Sequence, residues 1–501
     1  MPDPTAAPTR VETGILGLDT VLLGGLLSGG TYLLMGGPGT GKTVLSNQLC
    51  SHRAGLGEHA VYVSVLTESH TRMLTNLRSL SFFEPDFIGS RISYVSGFSV
   101  LESEGPDGLR KMLLPIIRKQ RARVLVVDSI ASVLEYAESR TAARKFLRDL
   151  GTMCSLAGCV ALMLTPLTKE KALVELALAD GILRLRRHHR GLRDVRTLEV
   201  VKSRGSGHLE GRHIFTITSG GVRVHPRTEI LLKTDDSTHE PDEFPERVPF
   251  GAGLDQLLGE GILAGSTTAL LGPPGSGKTL FGVQFLSTGV ERREKGLLFG
   301  FYEPPTRLIT KSEGVGIPLG KYVERGDIHL LWQPSAEHSL DALAERMLAA
   351  IYQTKAKRLF IDGLDGLKSG SYFQERFSLF FSAITNRLRM LGVTAVVSEE
   401  LELFSYHPER TGIILSASCD NIIHARYKDV GPRSYRLVSV VKARDGYHDA
   451  SMREFFITGS GISVAEDSSS AEAIQRGEEP RRPAGRLKGK RRGARPRGGR
   501  S

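Results

Sequence analysis

Only four cysteines occur in the 501 residues (Cys50, Cys154, Cys159, Cys419), and none forms a C-x-x-C pair. That scarcity excludes a disulfide framework or a zinc ribbon and leaves the cysteines as core or neutral residues. Long apolar runs are also missing, so no segment is a candidate to span a membrane, and the first ten residues lack the apolar core of a signal peptide. The expected setting is reducing and cytoplasmic. Aromatic residues make up 7% of the chain and do not interleave with its basic clusters, which leaves sequence-specific nucleic-acid recognition without support.

What the chain does contain is a phosphate-binding loop, twice. Gly36-Gly37-Pro38-Gly39-Thr40-Gly41-Lys42-Thr43 and Gly272-Pro273-Pro274-Gly275-Ser276-Gly277-Lys278-Thr279 both satisfy G-x-x-x-x-G-K-[ST]. Each follows an apolar run of strand type and precedes a helical segment, the context that separates a phosphate loop from a chance match. The glycines let successive backbone N–H groups face phosphate oxygens at a helix N-terminus. Lys42 and Lys278 are expected to reach the β- and γ-phosphates of ATP, and the hydroxyls of Thr43 and Thr279 to ligate Mg2+.

The repeat extends well past the loops. Gly17-Leu18-Asp19 recurs as Gly253-Leu254-Asp255, Lys202 and Arg204 as Lys442 and Arg444, and His208 as His448. The chain therefore reads as a duplicated domain. Residues 11–232 form the first copy, 233–246 a polar linker, 247–464 the second copy, and 465–501 a basic tail expected to be disordered. Within each copy, short β-branched runs such as Val124-Leu125-Val126-Val127 alternate with amphipathic segments, which predicts α/β layering on a mainly parallel sheet. Asp128 and Asp362 close such runs at matched distances beyond the two lysines, and they are the carboxylates expected to hold Mg2+ through water.

The openings TGILGLD (residues 13–19) and FGAGLD (residues 250–255), with the loops and the endings KSRGSGH (202–208) and KARDGYHD (442–449), resemble the KaiC branch of the RecA-like ATPases. The resemblance covers residues 11–464 and implies two tandem RecA-like phosphate-loop domains. It also implies a homo-oligomeric ring, normally hexameric, with ATP at subunit interfaces, and regulatory protein partners. Lys202, Arg204, Lys442 and Arg444 would then reach a neighbour's γ-phosphate. The charge developing in phosphoryl transfer favours such cations independently, although Lys-x-Arg is also common on solvated edge strands.

Two departures from that pattern stand out. The family places adjacent glutamates after the strand that follows the loop helix, the first acting as base. Here those positions read Leu66-Thr67, with Glu68 one residue late, and Tyr302-Glu303. Slow hydrolysis is expected unless Glu68 or Glu303 takes the base position. The family's second domain also phosphorylates an adjacent Ser-Thr pair, which aligns with Ser416-Ala417. Ser416 is thus either a lone phosphoacceptor or part of an ordinary polar segment.

Net charge is +11, and the stretch from Arg476 to Arg500 alone holds eleven Lys or Arg against Glu478 and Glu479. This tail either binds nucleic acid or an acidic partner, in a salt-dependent way, or simply solubilises the chain. The leading reading is a regulatory ring ATPase with serine autokinase activity open in its second domain. The alternatives are a DNA-acting motor of the same superfamily and a nucleotide-gated scaffold with little turnover.

Overall fold

In a computed structural model the described residues are 9–65, 70–166, 178–190, 193–233, 246–334, 338–401, 417–444 and 446–480. They fall into two compact units, one of Met1–Ser237, Glu337–Glu345 and Gly370–Ala383, the other of Thr238–Ala336, Arg346–Ser369 and Ile384–Ser501. Each unit is built on one nine-stranded sheet.

The first sheet comprises β1 (Thr31–Gly36), β2 (His59–Ser64), β3 (Ile92–Ser96), β4 (Ala122–Asp128), β5 (Val160–Thr165), β6 (Gly181–Arg190), β7 (Arg193–Ser203), β8 (Arg212–Thr218) and β9 (Gly221–His225), in the order β9-β8-β7-β6-β1-β5-β4-β2-β3. The six strands from β6 to β3 run parallel, and β7, β8 and β9 add antiparallel ribbon at one edge. Side chains alternate across each strand. Tyr32 and Leu34 of β1 therefore enter one core, with Leu45 and Leu49 of helix α1 (Lys42–Gly55). Leu33 and Met35 enter the other, with Leu109 and Leu113 of α2 (Phe98–Gln120) and Phe146 and Leu150 of α3 (Arg140–Ala157). Burial on both faces explains why these strands read as unbroken apolar runs.

The second sheet repeats the plan with β10 (Thr267–Gly272), β11 (Gly296–Gly300), β12 (Ile328–Trp332), β13 (Arg358–Asp362), β14 (Thr394–Glu400), β15 (Asn421–Val430), β16 (Arg433–Ala443), β17 (Arg453–Thr458) and β18 (Gly461–Val464), in the order β12-β11-β13-β14-β10-β15-β16-β17-β18. Helix α4 (Lys278–Glu291) puts Phe281 and Phe285 into a core shared with Leu270, Phe360 and Val396. The α/β expectation and its mainly parallel sheets hold in both units.

One element differs from expectation. The stretch assigned to a disordered tail begins with a helix, α5 (Ser469–Gln475), whose Ala471 and Ile474 pack on Val430, Tyr435 and Leu437 of the β15–β16 hairpin. Removing those two side chains from water favours the helix over the entropy of a loose chain. Residues 481–501, which carry most of the tail's basic charge, lie outside the described residues, as do 234–245 of the linker. Among the described residues no helix is long and apolar enough to cross a membrane.

Candidate functional site

Both phosphate loops sit at the C-terminal end of the central strand of their sheet, where parallel α/β sheets bind ligands. Gly41 (φ 100°) and Gly277 (φ 93°) turn the chain into α1 and α4 through backbone conformations that favour glycine. Lys42 Nζ donates to the carbonyls of Gly36 (2.7 Å) and Gly37 (3.1 Å), and Lys278 Nζ to those of Gly272 (2.8 Å) and Pro273 (2.9 Å). Each ammonium is thus folded over its own loop, with Gly39, Thr40, Gly275 and Ser276 forming the rest of the turn. Desolvation lowers the pKa of both lysines, opposed by Asp128 at Lys42 and by Glu400 and Asp362 at Lys278.

The expected metal carboxylates end β4 and β13, each one strand removed from the central strand of its sheet. Asp362 accepts hydrogen bonds from the hydroxyls of Thr279 (3.3 Å) and Ser398 (2.9 Å), and burial raises its pKa against both bonds. A hydroxyl and a carboxylate converging beside a phosphate loop fit Mg2+, which takes few protein ligands and completes its shell with water and phosphate oxygens. Among the described residues no group of three or more His, Cys, Asp or Glu that could hold a metal occurs. In the first unit Asp128 ends β4 and accepts a hydrogen bond from Tyr62 (2.7 Å), while Thr43 lies in the first turn of α1.

The basic pairs lie elsewhere. Lys202 and Arg204 are at the end of β7, where Ser203 pairs with Gly181, Gly181 with Tyr32, and the Arg204 amide donates to the Asp180 carbonyl (2.8 Å). Asp180 in turn accepts from the amide and hydroxyl of Thr31. This is the N-terminal end of β1, so a strand of about 3.3 Å per residue separates the pair from its own loop, roughly 17 Å in all. In the second unit Lys442 donates to the Cys419 carbonyl (2.9 Å), and Arg444 lies 3.7 Å from Asp420, again at the start of the central strand. The structure does not bring either pair to the phosphate loop of its own unit.

Of the candidate bases, Glu68 lies outside the described residues, as do Leu66, Thr67 and Ser416. Glu303 is drawn toward Lys311 (3.1 Å) and Arg307 (3.7 Å) of helix Pro305–Gly314. Tyr302 packs against Gly363, where a Cβ would meet the ring at 2.6 Å, and so stands beside Asp362.

Several neighbours of the loops escaped the sequence reading. Ser398 and Glu400 arrive on β14, and Glu400 Oε1 is 3.8 Å from Lys278 Nζ. Arg187 lies beside Gly39, and the Tyr427 hydroxyl donates to the Gly275 carbonyl. Arg187 and Tyr427 are equivalent positions of the repeat, which is the one sequence signal that could have paired them.

The family model for the KaiC ATPase matches twice, over residues 11–229 and 251–469. Among curated proteins, the circadian clock oscillator protein KaiC of Rippkaea orientalis is 26% identical over 490 residues, covering 95% of this chain and 92% of its own. The protein of the same name from Picosynechococcus is 26% identical over 488 residues (94% and 92%). KaiC 1 of Synechocystis is 25% identical over 491 residues (95% and 93%). With both repeats matched and both loops, strand-end aspartates and basic pairs in equivalent places, the chain belongs to the KaiC family of ATPases.

Proposed function

We propose that the protein is a KaiC-like ring ATPase that binds ATP·Mg2+ at both phosphate loops and turns it over slowly in a regulatory, clock-type signalling role. The observation that carries the reading is the doubled site: in each unit a lysine is folded on its loop within the influence of a strand-end aspartate, and in the second unit the loop threonine bonds that aspartate. In each site the loop amides and Lys42 or Lys278 bind the phosphates, Thr43 with Asp128 or Thr279 with Asp362 hold the cation, and the cation neutralises charge on the β- and γ-oxygens. The roughly 17 Å between each basic pair and its own loop supports assignment of Lys202, Arg204, Lys442 and Arg444 to the site of a neighbouring subunit, in a hexameric homo-oligomer.

Slow turnover follows from the glutamate positions. Tyr302 stands where the family carries its base, and the Glu303 carboxylate is engaged by Lys311 and Arg307, which draws it away from the place of a positioned base. The same facts favour the scaffold reading, in which nucleotide assembles the ring and little is hydrolysed. Serine autokinase activity at Ser416, regulatory protein partners, and binding of nucleic acid or an acidic partner by the basic tail belong to the proposal as further tests of the same preparation.

Nucleotide stoichiometry tests the core of the reading. The unaltered chain should bind two ATP, and Lys42→Ala and Lys278→Ala should each remove one, because the lysine is the charged anchor for phosphate. Full stoichiometry in either variant would mean that site is misassigned. Label transfer from γ-labelled ATP that disappears in Ser416→Ala would establish the autokinase. DNA-stimulated turnover would favour the motor.

A further inference from the structure

We propose that Glu400, at the end of β14, is the water-activating carboxylate of the second site, in the role that the family assigns to the position of Tyr302. The inference rests on the ATPase reading above and adds a residue to it. Its basis is the geometry of the β10–β14 pair. Gly272 and Glu400 are register partners in that parallel pair, and the Leu401 amide donates to the Gly272 carbonyl at 3.1 Å, which pins the end of β14 beside the phosphate loop. Glu400 Oε1 then lies 3.8 Å from Lys278 Nζ, the atom that meets the γ-phosphate, while its side chain stays 58% exposed. A carboxylate there can hold a water on the solvent side of the transferred group.

The residues before it fix its direction. Ser398 donates to Asp362, and the buried Glu399 carboxylate is taken by Lys368 of helix Leu364–Ser369. Alternation along the strand sends Glu399 and Glu400 to opposite faces, so only Glu400 is available to the loop. Glu303, in contrast, is drawn to Lys311 and Arg307.

In the step itself, Glu400 accepts a proton from water as the water oxygen bonds to the γ-phosphorus. The bond from that phosphorus to the β,γ-bridging oxygen breaks, and the electron pair leaves with ADP. The proton passes from Glu400 to solvent. Nothing beyond ATP and water is consumed. At the equivalent position of the first unit, where Thr165 pairs with Met35, the next residue is Pro166 in the place of Glu400. The two sites therefore differ in how they activate water.

The test compares Glu400→Gln with Lys278→Ala in the otherwise unaltered full chain, reading phosphate release and bound nucleotide on the same samples. Glu400→Gln should lower turnover to the level of Lys278→Ala, a loss of about 100- to 10,000-fold in the second site's share, since that is what a positioned base contributes. Unlike Lys278→Ala, it should keep two nucleotides per chain with undiminished affinity, because a negative charge beside the γ-phosphate has been removed. Glu400→Asp should recover part of the rate, and Glu303→Gln should lose less than Glu400→Gln. Unchanged turnover in Glu400→Gln with both nucleotides bound overturns the proposal, and so does a Lys278→Ala variant whose turnover equals that of the unaltered chain. Weakened binding with an unchanged rate constant would make Glu400 a partner of the lysine only and overturn it as well. If the unaltered chain binds no ATP, the ATPase reading fails instead.

Discussion

Gly17 has φ 80°, and a Cβ added there would stand 2.0 Å from the carbonyl oxygen of Val224. The next turn is closed by Asp19, which accepts from the Thr13 amide and hydroxyl and the Gly14 amide. In the second unit Asp255 accepts from Phe250 and Gly251 in the same way, but Gly253 has more room, its nearest neighbour being the Val464 amide nitrogen at 3.3 Å. The Gly-x-Asp opening that carried much of the family resemblance is thus a structural device, holding the first turn against the last strand of its unit. Alanine at either glycine meets a left-handed backbone, at about 1–2 kcal/mol. Gly17→Ala adds a backbone clash, so it should lower the denaturant midpoint of its unit more than Gly253→Ala lowers that of its own. Equal shifts would show that the contact with Val224 relaxes freely.

At the scale of elements, the segment after β9 is held within the first unit by buried charge. Arg376 donates to both oxygens of Glu229 at 2.6 Å and to Asp341 at 2.8 Å, while Thr228 caps Asp341 through its amide and hydroxyl at 2.9 Å. Burial by itself would raise the Glu229 pKa, but the bonds and charge of Arg376, with Arg227, override it and hold the carboxylate at about 2 against an ordinary 4.5. A depressed folded-state pKa contributes stability that is full above 4.5 and is lost as pH falls through about 2. That contribution is on the order of 3 kcal/mol. Denaturant titrations of the unaltered chain and of Glu229→Gln should therefore differ at pH 7 and converge toward pH 2. A gap that persists at pH 2 would trace the effect to packing.

None of this network was legible in the sequence, because Glu229, Asp341 and Arg376 lie on separate segments and no local pattern marks a buried ion pair. The phosphate loops were legible because eight consecutive residues specify them, and the strands feeding them because burial on both faces leaves apolar runs. Glu400 was missed for a different reason. Its place beside Lys278 is set by the register of a parallel pair whose strands are far apart in the chain, and that register is invisible to a pattern read along one segment. Helix α5 was missed because its apolar surface is only Ala471 and Ile474, set within a charged stretch.

At the scale of the whole molecule, the proposed reading makes each site complete only with a second copy of the chain. Each unit carries its phosphate loop at one end of the central strand and its basic pair at the other, so the cations assigned to stabilise the transferred phosphoryl group must come from elsewhere. The proposed ring supplies them if the loop of one subunit faces the β7 end of the next. Mixing inactive variants then separates action in trans from action in cis. Subunits bearing Lys42→Ala lack the loop anchor but keep Arg204, and subunits bearing Arg204→Ala keep the anchor. In a ring assembled at random from equal parts, an interface is complete when an Arg204→Ala subunit supplies Lys42 and its neighbour supplies Arg204. That holds for about a quarter of interfaces under cyclic symmetry. Phosphate release should accordingly return to about a quarter of the first site's normal share on mixing in the presence of ATP, and mass measurement should find the mixed ring. Mixed rings with no recovered turnover would mean that Arg204 acts within its own chain or not at all, and would return it to the status of a solvated charge at the end of β7.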